Sequence, residues 1–334
     1  MSPHSLGLLL ASACAATNVA MDVLQKRALS GRPYYPTILS ARVTVFVLLT
    51  LIVIARIRLG YAAPWQAPFR QEILHTPHFL AMLALDCLLM ACSMLLYYRA
   101  IRTAPLSLTI PFLTFTPAFL LLTSHIVLRE RPTLPQVEGV AIVVFGSVLM
   151  YRSQFRISWL EPFRALAQEP GSRYMLLAAL IMSLTNPLDK WLIVRSSSFT
   201  FAWLYATGSC ILFSALLLQR PSFRGLAWKT IIAAGVADAT TLALQFASLV
   251  YLSAVVTICL KRSGILLTVL AGWFIFREHQ IENRLIAAMI MVSGALMLYL
   301  NFDLWRQTLL CALLIIIGLY GPQWTRFVRQ RAIS

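Results

Sequence analysis

The sequence has few charged residues and very little lysine. Of its 334 residues, 12% are Asp, Glu, Lys or Arg, about half of the ~25% that is usual in soluble domains, and only four are Lys. It carries no motif for nucleotide hydrolysis, serine hydrolysis or zinc proteolysis. The six Cys fall inside apolar segments at spacings that do not suit a metal. We therefore expect no enzymatic activity, no cofactor, no bound metal and no ATP-driven step.

Long apolar runs are what the sequence has instead. It is 59% hydrophobic with a mean hydropathy of +0.77, and most of the chain lies in blocks of membrane-span length. The predicted fold is all-α and integral to the membrane, with ten transmembrane helices. They lie at 5–24, 37–57, 79–98, 106–128, 137–151, 174–194, 199–218, 230–250, 252–276 and 285–300. A further block, 304–320, predicts an eleventh helix, because Trp residues flank its apolar run.

The net charge of +16 would suggest a nucleic-acid partner in a soluble protein. Here most Arg and Lys lie in short connections between spans, so we expect no nucleic acid and interpret them as topology signals. The connections after odd-numbered spans hold 14 of them and the opposite side 7, and the tail raises the first count to 17 if 304–320 spans. This predicts an N-terminus outside and a C-terminus in the cytoplasm.

An internal repeat organises the chain. Arg129-Glu130 after span 4 recurs as Arg277-Glu278 after span 9, 148 residues later, and a Gly and a Tyr follow each pair at the same spacing. Asp86 and Asp238 each lie in the third span of their half. Each half thus has five spans, and an odd number places the two halves in opposite orientations. The predicted units are residues 5–151 and 174–300, followed by an extra helix and basic tail over 304–334.

The segment from Leu252 to Glu278 carries the most specific resemblance. Its Lys261-Arg262 pair in mid-span, followed by Gly272-Trp273 and Arg277-Glu278, resembles the EamA-type members of the drug/metabolite transporter superfamily. The likeness covers residues 5–300, and residues 304–334 depart from the ten-span pattern. The resemblance implies a secondary transporter in a bacterial inner membrane. It also implies that both termini lie inside, which is opposite to the charge count. The pair is also similar to one in the plastid sugar-phosphate translocators, where it contacts substrate phosphate. Their further Lys in the fourth span is missing here.

Lys261 and Arg262 are the strongest candidates for a binding site. Each costs roughly 2.5–3.5 kcal/mol at the centre of a membrane helix, so a partner must neutralise it. We interpret the pair as an anion site, with Arg as a bidentate clamp on phosphate or carboxylate. The alternative is a structural ion pair with Asp238 or Asp86. Thr257 lies one turn before Lys261 and could add a hydroxyl, or could simply bond back to its own helix.

Further polar residues lie in the first and third spans of each half. Asn18, Asn186 and Lys190 are candidate substrate ligands. Intramembrane carboxylates are functional candidates by default, and here they could serve as counter-ions to the basic pair or as proton-coupling groups. They are Asp22, Asp86, Asp189 and Asp238.

These residues predict a secondary transporter of a small or lipid-linked anion that works by alternating access. Other functions stay open. They are proton-coupled export of amino acids or amphipathic drugs, flipping of a polyprenyl-phosphate lipid, and a membrane subunit without transport activity. The expected partners are the anionic substrate and membrane lipids, and the chain is expected to be a monomer or homodimer.

Overall fold

Every regular element that the structure describes is a helix. The computed structural model describes residues 2–60, 76–129, 131, 133–149, 169–216, 223–276, 285–287, 289, 290, 293 and 294. A 3₁₀ helix, Ile110–Phe115, lies between α4 and α5. The α-helices in chain order are α1 (Pro3–Leu29), α2 (Tyr34–Arg58), α3 (Pro77–Thr103), α4 (Leu106–Thr109), α5 (Thr116–Leu128), α6 (Leu134–Leu149), α7 (Pro170–Arg195), α8 (Ser198–Leu216), α9 (Trp228–Tyr251), α10 (Ala254–Ser263) and α11 (Ile265–Phe276).

Six of these helices are long and apolar enough to cross a membrane, namely α1, α2, α3, α7, α8 and α9. They are the first three predicted spans of each half, and five of the six extend beyond the predicted bounds at both ends. Proline at the first turn starts α1, α3 and α7, where its missing N–H leaves no helical bond unmade. The total of ten spans stays a prediction. The eleventh block 304–320 and the tail to residue 334 lie outside the described residues.

The fourth predicted span is broken, as its prolines indicate. Pro111 and Pro117 each lack the N–H that an α-helix uses, and the chain passes between them as a 3₁₀ helix over Ile110–Phe115. The α-helix resumes at Thr116. This segment faces the interior, where Leu113 is buried.

The ninth predicted span, 252–276, is not the uninterrupted block that hydropathy indicated. It consists of α10 and α11, which meet at Gly264 directly after the Lys261-Arg262 pair. A Cβ on Gly264 would lie 2.7 Å from the carbonyl oxygen of Ala15 in α1. Only glycine allows α1 to approach this closely. The helix break and the close packing of α1 therefore both occur at Gly264.

Pro187 lies within α7, which continues through it. Proline cannot donate to the carbonyl of Ser183 four residues earlier. The hydroxyl of Thr123 in α5 donates to that carbonyl instead, at 2.5 Å. The freed backbone oxygen is thus satisfied by a neighbouring helix, as buried backbone groups in a membrane require.

The two halves pack reciprocally. α1 of the first half packs along α9 of the second, and α7 of the second half packs along α3 of the first. Gly7 and Gly171 start these contacts, and a Cβ there would lie 2.9 Å from Cγ of Leu252 and 2.6 Å from Cβ of Ala104, respectively. The two glycines are 164 positions apart and their partners 148. Reciprocal contacts of this kind are the mark of a two-fold axis, which here relates the halves of one chain.

Candidate functional site

A polar cavity lies between the two halves. Its walls come mainly from α1, α3, α7 and α9, with single residues from α8 and the 3₁₀ helix and three from α10. The cavity volume is about 90 Å³, so in this conformation it has room for a small polar group rather than for a whole metabolite, whose sites measure roughly 300–1,000 Å³.

The cavity wall follows the two-fold axis. Eighteen of its 22 lining residues form nine pairs at the offsets 164 or 148 that relate the halves. The pairs are Asn18 with Met182, Met21 with Thr185, Asp22 with Asn186, Gln25 with Asp189, Ser93 with Thr241, Met94 with Leu242, Tyr97 with Gln245, Tyr98 with Phe246, and Leu113 with Lys261. The frame is symmetric, but the side chains on it are not. Lys261 matches a leucine, and Asp189 matches a glutamine.

Lys261 lies in the last turn of α10 and lines the cavity. Its Nζ donates to Oε1 of Gln245 at 2.6 Å. Gln245 in turn donates through Nε2 to Oδ1 of Asn186 at 3.2 Å, and Asn186 donates to the carbonyl of Met182. The ammonium group is therefore held by a neutral amide chain, although it also interacts electrostatically with Asp22 and Asp189.

Arg262 is buried beside Lys261 and lines the same cavity. Its Nη2 lies 3.7 Å from Sδ of Met182, a weak acceptor. Its Nε is buried without a hydrogen-bond partner among the described residues. Asp22 is the carboxylate that acts on it most strongly. Several guanidinium donors thus lack a strong oxygen acceptor on the protein side.

Asp22 faces the cavity from α1 and is only 1% exposed. Its Oδ1 accepts from the hydroxyl of Tyr97 at 2.6 Å, and its Oδ2 accepts from Nδ2 of Asn18 at 3.0 Å. These donors stabilise a carboxylate in a fixed position. Asn18 and Asp22 therefore form one unit with Tyr97, a residue that the sequence analysis did not single out.

Asp238 has a different partner from the two that the sequence suggested. It forms an ion pair with Arg42 of α2 rather than with Lys261 or Arg262. Gln25 adds a long hydrogen bond to Oδ2 of Asp238, 3.5 Å, and Arg42 reaches the hydroxyl of Tyr98 at 3.4 Å. Arg42 is 0% exposed. The sequence could have indicated Arg42, because within the apolar block 37–57 it is the one basic residue away from the ends.

Asp86 likewise does not pair with the basic residues. It is 0% exposed in α3, and its carboxyl interacts with that of Asp189 in α7. Asp189 lines the cavity, whereas Asp86 lies behind it. Asp189 is thus nearer the cavity and Asp86 farther from it, in a region where α3 packs against α7.

Two further sequence candidates lie off the cavity wall. Nζ of Lys190 donates to the carbonyl of Leu252 at 3.0 Å, at the end of α9. Oγ1 of Thr257 is buried without a partner among the described residues and does not line the cavity. The structure thus gathers Lys261, Arg262, Asn18 and Asn186 with the carboxylates around one cavity, and leaves Lys190 and Thr257 outside it.

Comparison with known proteins agrees with this architecture. The profile of the EamA-like transporter family matches residues 5–152 and 170–300, which are the two halves described above. A solved crystal structure with 16% sequence identity matches with a TM-score of 0.59, over 88% of this chain and 94% of that one. That likeness shows the fold alone. No functionally curated protein matches the chain.

Proposed function

The chain belongs to the EamA-like transporter family, and on that premise we propose that it is a secondary transporter of a small anionic metabolite. The substrate would carry a phosphate or carboxylate group and would bind at Lys261 and Arg262. The two halves would move around the cavity and expose it to each side of the membrane in turn.

The unused donors of the basic pair support this proposal most directly. Arg262 has a thioether as its hydrogen-bond acceptor and a buried Nε without one, and Lys261 donates to an uncharged amide. A guanidinium or ammonium group binds an ionised oxygen through short, charge-assisted hydrogen bonds, which are about twice as strong as those between two neutral groups. A phosphate or carboxylate would satisfy both groups where the protein does not.

The enclosed cavity favours a small substrate over a lipid-linked one. Its walls come from both halves, and its volume of about 90 Å³ would have to grow to admit a small metabolite and would have to grow far more for a lipid chain. A polyprenyl-phosphate would also need a path for its chain between helices toward the lipid. The panel described below includes such a head group for this reason.

A zwitterion is the second candidate, and Asp22 and Asp189 favour it. Both carboxylates line the cavity that Lys261 and Arg262 line, while Asp238 is neutralised by Arg42. The cavity thus holds two acids and two bases, which could receive the amino and carboxyl groups of an amino acid. Unlike a simple anion, an amino acid would also need Asp22 or Asp189 to bind its amino group.

Thermal unfolding of the purified protein with a panel of compounds tests the proposal. The panel contains phosphorylated metabolites, dicarboxylates, amino acids and phospholipid head groups. A ligand of the native state raises the unfolding midpoint. We expect an anion to do so, and both Lys261→Ala and Arg262→Ala to remove the effect. Lys190→Ala is the matched control, because it removes a partly buried ammonium group that does not line the cavity. Stabilisation by amino acids alone, lost in Asp22→Asn, would replace the anion with a zwitterion.

We also propose the membrane orientation that the charge count predicts, with the N-terminus outside, and cysteine labelling tests it. Single cysteines at Ser2 and Gly225 can be labelled from either side of sealed vesicles, in a variant without the native cysteines. The charge count places Ser2 outside and Gly225, in the connection after α8, in the cytoplasm. Labelling of Ser2 from the cytoplasmic side would instead support the orientation that the family resemblance implies.

A further inference from the structure

Asp86 and Asp189 form a carboxyl pair that the basic site does not account for. Both oxygens of Asp86 and Oδ1 of Asp189 are buried, and none of the three has a hydrogen-bond partner among the described residues. The two groups interact with each other across the contact of α3 and α7. An ionised carboxylate without partners in a protein interior is strongly unfavourable, so at least one of the two needs a ligand or a proton.

The surroundings supply little positive charge to this pair. In the described part of the chain, the titratable groups that act on it are Cys87 next in sequence, Tyr205 from α8 and Lys261 from α10. Lys261 reaches only Asp189. Arg42 acts on Tyr205, but its carboxylate partner is Asp238. A thiol and a phenol carry no positive charge, so Asp86 has no cationic neighbour in this set.

The other side of the two-fold axis shows how the protein neutralises a similar acid. There Gln25, the match of Asp189, contacts Asp238, and α2 supplies Arg42 as the counter-ion. At Asp86 and Asp189 the corresponding helix, α8, supplies the uncharged Tyr205. Asp238 thus has Arg42 as its counter-ion, whereas no described basic residue acts on Asp86 on the opposite side.

We propose that Asp86 and Asp189 form a proton-binding site that holds one proton between them and exchanges it with the cavity through Asp189. Two carboxyl groups in contact in an apolar site cannot both ionise without strong repulsion, and one shared proton removes it. The proton comes from cavity water to the Asp189 carboxylate and returns to cavity water when the cavity opens to the other side. Asp86 does not line the cavity, so Asp189 is the point of entry.

The site also links the proton to the anion, and this part rests on the proposed function. Lys261 acts on Asp189 and would also bind the anion. A bound anion offsets the field of the ammonium group at Asp189, so the carboxyl pair takes up a proton more readily. Linkage is reciprocal, so a bound proton strengthens anion binding by the same factor. The two would bind together and cross together, which makes the transport step an anion–proton symport.

Infrared spectroscopy of the protein in lipid tests the proton site without any substrate. The carbonyl stretch of a protonated carboxylic acid is followed as the pH is raised through the neutral range. We expect a band that titrates there in the wild type. In Asp86→Asn, Asp189 stays ionised beside Lys261, and in Asp189→Asn, Asp86 stays protonated without a route to water. Both variants should therefore lose the titration.

Asp22→Asn is the matched control, since Asp22 also lines the cavity but accepts two hydrogen bonds. It should keep the titration of the pair. Size-exclusion profiles confirm that each isosteric variant is folded. A wild-type protein with no band that titrates near neutral pH would overturn the proposal, and so would a titration that survives in both Asp86→Asn and Asp189→Asn.

Sulfate tests the coupling, because its charge is constant near neutral pH. We expect sulfate to raise the unfolding midpoint of the wild type more in slightly acidic than in slightly alkaline buffer, and equally in both buffers for Asp86→Asn. Equal stabilisation of the wild type in both buffers would overturn the coupling. The titrating band without stabilisation by any anion would support the proton site and count against anion transport. Stabilisation by an anion without the titrating band would support anion transport and count against the proton site.

Discussion

Tyr97 and Gln245 lie 148 positions apart, and each donates a hydrogen bond to the first helix of its own half. Tyr97 donates to Asp22 at 2.6 Å, and Gln245 donates to Asn186 at 3.2 Å. Asp22 and Asn186 are themselves matched at an offset of 164. The two-fold relation therefore extends from helix packing to single hydrogen bonds in the cavity wall.

Matched positions in the two halves carry different side chains, and this difference bears on the proposed transport mechanism. In a transporter built from inverted repeats, the outward-open and inward-open states exchange the conformations of the two halves. With identical halves the two states would have equal energy. Here Lys261 matches Leu113 and Asp189 matches Gln25, so under the proposed mechanism the two states would differ in energy. Ligands that act on Lys261 or Asp189 can then shift their populations.

Removing the hydroxyl of Tyr97 should destabilise the protein. In Tyr97→Phe, Oδ1 of the buried Asp22 loses its donor, and a hydrogen bond to a charged group contributes about 1.5–3 kcal/mol. We expect a lower midpoint of thermal unfolding in detergent. Tyr174→Phe serves as the control, because no hydrogen bond is described for its hydroxyl, while its ring packs on the core and against Arg99. Equal losses in both variants would show that the bond to Asp22 contributes nothing specific.

Lys26 and Lys190 should contribute to stability in the same way. Nζ of Lys26 donates to the carbonyl of Ala104 at 2.8 Å, and Nζ of Lys190 donates to that of Leu252 at 3.0 Å. Each carbonyl ends the third long helix of its half, where a cation is favourable. Lys26→Met and Lys190→Met should each lower stability by about 1–3 kcal/mol, measured by thermal unfolding. Neither should change stabilisation by an anion. A lost anion response in Lys190→Met would return Lys190 to the binding site.

Hydropathy and spacing predicted much of the fold. The first three spans of each half followed from the length of apolar runs, and the break in the fourth followed from Pro111 and Pro117. The break at Gly264 could not be predicted this way. It lies where Ala15 of α1 approaches closely, a contact more than 240 residues away in sequence, and an apolar window shows no sign of it.

Part of the site was also accessible from the sequence. Charged residues in apolar blocks identified Lys261, Arg262 and the four aspartates. Which acid pairs with which base was not accessible, because it depends on how α2 lies against α9. The repeat could have supplied more. Given the contact of Tyr97 with Asp22, the offsets of 148 and 164 predict the contact of Gln245 with Asn186.

A side chain at Gly264 should disturb the junction of α10 and α11. In Gly264→Ala the new methyl group would meet the backbone oxygen of Ala15, and overpacking of this kind is destabilising by about 1–3 kcal/mol. Gly208→Ala is the matched comparison, because its methyl group would meet the side-chain sulfur of Cys87. Adding Cys87→Ala should rescue Gly208→Ala. Val19→Ala, which trims the other neighbour of Gly264, should not rescue Gly264→Ala. Thermal unfolding of these four variants separates backbone contact from side-chain contact.

The ion pair of Arg42 and Asp238 should show strong and unequal coupling. Arg42 is fully buried, whereas Asp238 lines the cavity, so water can reach the acid but not the base. Asp238→Asn leaves an unpaired charge in the interior and should lower stability by about 3–5 kcal/mol. Arg42→Met should lower it less, because Asp238 keeps the cavity and Gln25 as partners. The double variant Arg42→Met/Asp238→Asn should be more stable than Asp238→Asn alone, since it removes the stranded cation. A thermal-unfolding cycle over the four proteins measures this coupling. Additive losses would mean that the two residues act independently and that another group neutralises Arg42.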